Sequence, residues 1–431
     1  TATGWADVAA VAETILVKGG EPVVFTHRRT AHGPVVDTAP GGRGVLAMRW
    51  TAQDPSDELL ALLAMGRARN RSEFVAGAAG FLAPQQNVVY ADTAGNIGYL
   101  LAGRVPVRRS GEGALPTRGW TDEGRWVRYL VPAERPQLWN PPAGYIVTAN
   151  NRIVGEEYPF FISSDWDPGF RARRIVELVQ GDSGATAAST ARHQRDILDV
   201  FARRHARLAA AAATAVGRTD IAARLRQWDG TMAADRVEPA LFWTWYRALR
   251  RLTYEDESPD YQPGGPVRAW LSRGESPWFD DRRTMDREDL SGLSARAMRE
   301  ALAQVDGVPW GSVHHVRVEH PLGGVPVLGR VLGFTLGPWP SGGDNHTVNV
   351  AISTARAPPF NSSYGPSMRH VVDLSEPDGL GGFILPSGQS GHPLSAHYRD
   401  QHRRWMRGEL WVIPLDLGRV RATDTLVLHP R

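Results

Sequence analysis

The sequence predicts an α+β fold, and three observations carry that expectation. Short β-branched and aromatic runs fill the chain to about residue 158, a helical apolar period takes over from about 169 to 305, and strand-like runs return from Trp310 onward. Because two β-rich parts flank one helical part, they are expected to share a core, residues 1–168 and 307–431, into which residues 169–306 are inserted as helices.

In order along the chain, strands are expected over Thr14 to Val17, Val23 to Thr26, Val45 to Met48, Val88 to Tyr90 and Ile97 to Leu100, each bounded by Gly, Pro or Asp turns. Asp92-Thr93-Ala94-Gly95-Asn96 reads as a hairpin connection. One helix interrupts them from Asp57 to about Ala68, opened by Asp54-Pro55-Ser56. The helical part is read as Arg171 to Gln180, Ala185 to Val216, Val237 to Tyr254 and Asp286 to Val305, with Ser183 and Asp286 as N-caps and Gly217 as a stop. Strands return in Val313 to Val318, Thr347 to Ile352, His370 to Leu374 and Phe383 to Leu385, before a closing helix around Tyr398 to Gly408.

Composition removes several classes of function. Of 49 basic residues Lys18 is the one lysine, and the net charge is only +3, so the high isoelectric point reports arginine rather than a basic face. No basic run is interleaved with aromatics as nucleic-acid binding requires. No stretch approaches the ~20 apolar residues of a membrane span. The absence of cysteine removes disulfides, thiolate metal sites and a cysteine nucleophile, while leaving the redox compartment open.

The most informative dipeptide is Asn150-Asn151, which ends the apolar run Gly144 to Ala149. Such a run reads as a buried strand delivering two carboxamides to a cleft rim. A neutral amide N–H stabilises charge developing on a carbonyl oxygen without itself titrating, whereas the competing reading of Asn-Asn is a plain turn. The neighbourhood decides between them. Arg28 to Val35, Gln86 to Asp92 leading into Gly95 to Tyr99, Asn140 to Ile146, Gly343-Asp344-Asn345-His346-Thr347-Val348-Asn349, Gly365 to Arg369 and Gly388 to Leu394 follow one another in an order and spacing that resembles the penicillin acylase family of N-terminal-nucleophile hydrolases.

That resemblance implies an αββα sandwich with a helical insertion, incomplete in this chain. It implies an amidohydrolase that cleaves an N-acyl small molecule through an acyl-enzyme: a penicillin, a cephalosporin, an acyl-homoserine lactone or a lipopeptide. The family's nucleophile is a serine at the N-terminus of its large subunit, so the resemblance places the serine on a segment outside these residues and a small subunit beside it as partner. It implies no organic cofactor and a periplasmic or extracellular location. It puts Asn150 on the oxyanion asparagine and Arg174 on an arginine that orders the network around the nucleophile's amine, with Arg171 and Arg173 as neighbouring alternatives. Asp165 corresponds to a carboxylate that binds calcium in some relatives, although calcium takes six to eight oxygens and a turn role suits Asp165 equally.

Other constellations are weaker. His314, His315 and His320, and His392, His397 and His402, lack the spacing of zinc ligands. Gly388-Gln389-Ser390-Gly391 departs from a nucleophile elbow at its fifth position, which is His392. Thr1 could act as an N-terminal nucleophile through its own amine, an alternative to the missing serine. The rival from a different class is a catalytically silent scaffold or binding fragment of the same fold.

Overall fold

The computed structural model describes residues 4–42, 44–325, 327–362, 364–376 and 381–420, with Val427 and His429. The chain divides into two compact units, Thr1–Trp166 and Asp167–Arg431. Every ladder among the described residues lies within one of them. Thr1 lies outside the described residues.

The first unit holds most of the strands. Ala9–Ile15, Val23–Thr30, Gly33–Thr38 and Val45–Ala47 form an antiparallel meander in sequence order. Gly33 is required at its turn, because its backbone takes φ 132° and a side chain there would run into the Met48 carbonyl. A second sheet pairs Gln86–Ala91 with Ile97–Ala102, and Ile97–Ala102 with Gln137–Trp139. Its expected hairpin forms because the Asp92 carboxylate accepts from the Ala94 and Asn96 backbone N–H groups and from the Asn96 amide, closing the turn locally. Pro106–Arg108 and Trp126–Tyr129 make a third, two-stranded sheet. Two helices accompany them. Glu58–Arg67 is capped by Asp57, and Arg71–Ala79, which the sequence reading missed, is capped by Asn70. Small cores gather about Phe74, Phe81 and Leu100 and about Leu101, Val105 and Leu130.

The second unit is built on helices Phe170–Gly181, Val200–Ala215, Thr219–Gln227, Glu238–Tyr254 and Leu290–Val305, whose common core contains Phe201, Trp243, Trp245, Leu249, Met298 and Trp310. Ala206, Ala209, Ala210 and Ala213 present small side chains along one helix, so its neighbours can approach closely. The expected single helix over 185–216 is two, Ala187–His193 and Val200–Ala215. Its N-cap is Thr186, in a capping box with Ser189, rather than Ser183. Asp289 rather than Asp286 caps Leu290–Val305, and Gly217 does end its helix, at φ 81°. Helices Thr219–Gln227 and Gly264–Arg273 were also missed. Two-stranded sheets pair His315–Val318 with Leu336–Pro340 and Arg369–Val371 with Gly382–Ile384. The strand expected over Thr347 to Ile352 is absent among the described residues, because that segment folds around the Asp344 turn and retains only an isolated bridge from Ile352 to Tyr364. No helix among the described residues is long and apolar enough to cross a membrane.

Candidate active site

Asn150 closes a segment that departs from expectation. Tyr145 to Thr148 is half-buried and Ala149 buried, but the run joins no strand among the described residues. Asn150 itself takes φ 64°, the left-handed region that asparagine tolerates better than other residues with a Cβ, and it is exposed. Asn151 behaves differently. Its carboxamide accepts from Ala149 N–H at 3.0 Å and donates to the Arg152 carbonyl at 3.0 Å, so it is committed to holding the turn. The pair therefore separates into one carboxamide at the surface and one that fixes the backbone beneath it.

Arg174 lies in the second unit. Helix Phe170–Gly181 carries three candidate arginines, and the structure distinguishes them. Arg173 is exposed, Arg171 pairs with Asp167 at 2.9 Å, and Arg174 is held in a fork by Asp196, Nε to Oδ1 at 2.9 Å and Nη2 to Oδ2 at 2.8 Å. Nη1 of Arg174 also donates to Glu177 at 3.0 Å, and Glu177 accepts from Arg203 at 2.6 Å. The Asp196 hydrogen bonds make the guanidinium still harder to deprotonate. Burial pushes the Glu177 carboxyl up, but hydrogen bonds from Arg203 and Arg174 outweigh it and hold the group below its ordinary value. The backbone of Asp196 accepts from Asn349 N–H at 2.9 Å, and the Asn349 side chain accepts from Arg369 at 2.7 Å. Arg174 is thereby tied to the Gly343–Asn349 motif.

The same motif contains a cluster that sequence reasoning missed. Asp199, Asp344 and His346 are at most 5% exposed, and one ligand atom from each lies within 4.8 Å of the others. Asp199 Oδ1 caps a helix by accepting from Phe201 N–H at 2.7 Å, and Asp344 Oδ1 accepts from His346 and Thr347 N–H at 2.8 and 3.1 Å. His346 Nδ1 is 3.4 Å from Asp199 Oδ2. Burial, then the neighbouring Asp199 charge, raises the Asp344 carboxyl well above its ordinary value, while burial pushes Asp199 up to about 6 and His346 down to about 4. Asp344 Oδ2 is buried without a hydrogen-bond partner, and a proton held there and shared with Asp199 would satisfy it. Phe170, Phe201 and Trp243 ring His346 at 5.1–5.5 Å between centroids. Two buried carboxyls and an imidazole are a set that can hold a metal, whereas Arg247 and Arg268 add positive charge that opposes a cation there. The signal in the sequence was Asp344-x-His346 inside a recognised motif; Asp199, 145 residues earlier, carried only the look of a helix cap.

The remaining candidates resolve as follows. Asp165 is exposed, its N–H donating to Ser163 Oγ at 3.0 Å, and it belongs to no group of three or more carboxylate or imidazole ligands among the described residues. His314 stacks on Trp310 at 4.4 Å and bonds the Ser341 carbonyl, a core role. The Ser390 hydroxyl accepts from His392 N–H at 3.1 Å, and Gly388 is pressed against the His397 carbonyl, so this segment is a turn.

Comparison with known proteins now places the chain. The family model for penicillin amidase matches residues 1–422, and the chain belongs to that family. Among its relatives, a penicillin acylase 2 proenzyme of Pseudomonas sp. (strain SE83) is 30% identical over 91% of this chain and 52% of its own length. An acyl-homoserine lactone acylase, QuiP, of Pseudomonas syringae is 28% identical over 95% of this chain and 54% of its own. The chain thus spans about half the length of these relatives. A thermostable penicillin G acylase from Alcaligenes faecalis superposes with a TM-score of 0.64 and 20% identity, covering 99% of this chain and 83% of that one. The fold is therefore the N-terminal-nucleophile hydrolase fold, and the α+β expectation holds.

Proposed function

We propose that this chain is the greater part of the large subunit of an amidase that cleaves the acyl amide of a small N-acyl substrate. In this reading a serine on a segment outside these residues attacks the amide carbonyl, the amine departs as the C–N bond breaks, and water releases the acid from the acyl-enzyme. Asn150 donates its side-chain N–H to the carbonyl oxygen as it becomes an oxyanion. Arg174, fixed by Asp196, orders the surrounding network and its positive charge favours a neutral, basic α-amine at the nucleophile. The substrate class, penicillin-like amides or acyl-homoserine lactones, rests on the names of the relatives. A periplasmic or extracellular site and an accompanying small subunit belong to the same proposal.

The observation that carries it is the division of labour at Asn150-Asn151, because a left-handed, exposed asparagine held up by a neighbour's backbone bonds is how a donor is kept aimed without a flexible support. Exposed leucines at 59, 60, 62 and 63 and an exposed strand Ala9–Ile15 support a complementing segment, since apolar surface of this kind marks a covered face. The test is to assay the full-length protein against a panel of N-acyl substrates with Asn150→Ala and Asn151→Ala. Loss of one oxyanion donor should lower kcat about a hundredfold or more with little change in ground-state binding. Asn151→Ala should instead lower stability. Full activity in Asn150→Ala, or inactivity of the parent toward every N-acyl substrate, would overturn the proposal and favour a silent scaffold.

A further inference from the structure

Helix Glu238–Tyr254 presents Trp243, Tyr246, Arg247 and Arg250 at spacings of three and four, so these side chains lie along one face. Trp243 and Tyr246 rings are 5.7 Å apart, and the Arg247 guanidinium lies 5.0 Å from the Trp243 ring centre. Helix Gly264–Arg273 brings Arg268 to the same place: a side chain at Gly264 would stand 2.7 Å from Arg268 Nη1 and 3.4 Å from Arg250 Nη1. Arg356 stands at the exposed end, donating to the carbonyls of Pro259 and Asp260. The group runs from Arg356, exposed, through half-buried Arg250 and Arg268, to Arg247, which is 8% exposed.

What distinguishes this cluster is its unused donors. Trp243 Nε1, Tyr246 Oη, Arg247 Nε and Arg268 Nε are all buried without a hydrogen-bond partner. Arg247 spends one Nη2 bond on the Ser353 carbonyl, and no carboxylate among the described residues is within ion-pair distance of Arg247, Arg250 or Arg268. The contrast within the chain is direct, because Arg174, Arg218, Arg251 and Arg283 each hold at least one carboxylate. Asp344, a buried acid whose field reaches Arg247, makes no ion pair with it, and burial and the Asp199 charge raise its carboxyl well above the ordinary value. Burial and the neighbouring Arg250 lower Arg247 only to about 10, so the guanidinium stays charged at neutral pH. Unpaired buried cations and unused N–H donors together are costly unless something with several acceptor oxygens occupies the space between them.

We infer that Trp243, Tyr246, Arg247, Arg250 and Arg268 form a binding site for a small oxyanion, a carboxylate or phosphate group, entered from the Arg356 side. Guanidinium forks match the oxygens of both groups, and the indole and phenol add single donors that a planar or tetrahedral anion can accept. The site lies within the second unit and goes beyond the acyl-transfer reading.

The test is calorimetric titration of the chain with inorganic phosphate and, separately, with acetate at low ionic strength. One equivalent should bind saturably, and whichever anion binds more tightly names the head group. Arg250→Gln and Arg268→Gln, both half-buried and so safe for folding, should each weaken binding at least tenfold with an unchanged circular dichroism spectrum. Arg207→Gln, an exposed arginine on helix Val200–Ala215, should leave the affinity unaltered. No saturable heat with either anion would overturn the inference, as would equal affinity in the parent and the two site variants.

Discussion

Helices Glu58–Arg67 and Glu238–Tyr254 are both rich in large apolar residues, yet they end in opposite states. The first buries Ala61 alone and leaves Leu59, Leu60, Leu62 and Leu63 exposed; the second buries all but Arg250 and Arg251 of its seventeen residues. Apolar content made each a helix with a packing face, but the first packs only through Ala61 and Met65 into its small core, while its four leucines stay uncovered by the described residues. The lesson is that the second unit's stability is internal, whereas the first unit displays apolar surface that its own small cores do not use. The division also separates the chemistry: the exposed carboxamide of Asn150 belongs to the first unit, and the half-buried charge network of Arg174 to the second.

The sharpest way to break this contrast is to remove a partner of the Arg174 network. Asp196→Ala leaves the half-buried Arg174 with only Glu177 and should destabilise the second unit by about 1.5–3 kcal/mol, the usual worth of hydrogen bonds to a charged group. Urea unfolding monitored by tryptophan fluorescence measures it. A companion Asp196→Ala/Arg174→Met variant should recover part of the loss; if the double variant is no better than Asp196→Ala, the charge network is not what holds this region.

The next effect compares the two helices directly. Leu249→Ala, in a fully buried position, should cost about 2–5 kcal/mol through lost transfer energy and the cavity left behind. Leu62→Ala, at 52% exposure, should stay within about 0.5 kcal/mol of the parent in this chain. Similar losses at both positions would show that Leu62 is packed in solution.

Much of this arrangement was legible in the sequence, and the failures have physical causes. The Gln86 to Ala102 hairpin was readable because Asp92 closes its turn with local bonds. The stretch 185–216 misled because Ala, Arg and Leu keep a helical period throughout. The break at 194–199 comes from one long-range demand, Asp196 turned to Arg174, and one local one, Asp199 capping the next helix. Thr347 to Ile352 looked like a strand by alternation, but its polar residues close a buried turn on Asp344 instead. Asn150 was singled out as a candidate through the Asn-Asn pair and its flanking motifs; its left-handed backbone was not legible, since asparagine permits that conformation without announcing it. The cluster of Asp199, Asp344 and His346 was invisible because its members meet only through the tertiary fold.

The smallest predicted effect tests that cluster through pH. A carboxyl whose folded pKa lies above its unfolded value contributes stability that is fully present below about 3.9, the unfolded value, and is lost as pH rises through the folded one. Asp344, raised by burial and by Asp199, and Asp199 itself, raised to about 6, both follow this sign. His346, lowered to about 4 by burial, opposes them, because its stability contribution is gained as pH rises from about 4 through its unfolded value of about 6.5. Arg247 faces the same cluster and keeps its charge over this range, so it contributes no step of its own, and Arg268 is a further positive neighbour of His346. Asp344→Asn keeps an oxygen to accept from His346 and Thr347 N–H and supplies an amide N–H to Asp199 in place of the acid proton. The variant should match the parent near pH 4 and exceed it at pH 8–9 by about 1 kcal/mol or more, the worth of one pKa unit. Thermal unfolding across that range measures the difference. A variant less stable than the parent at every pH would mean that Asp344 carries a charge the fold needs, and a cation between the carboxylates would then become the better account of the cluster.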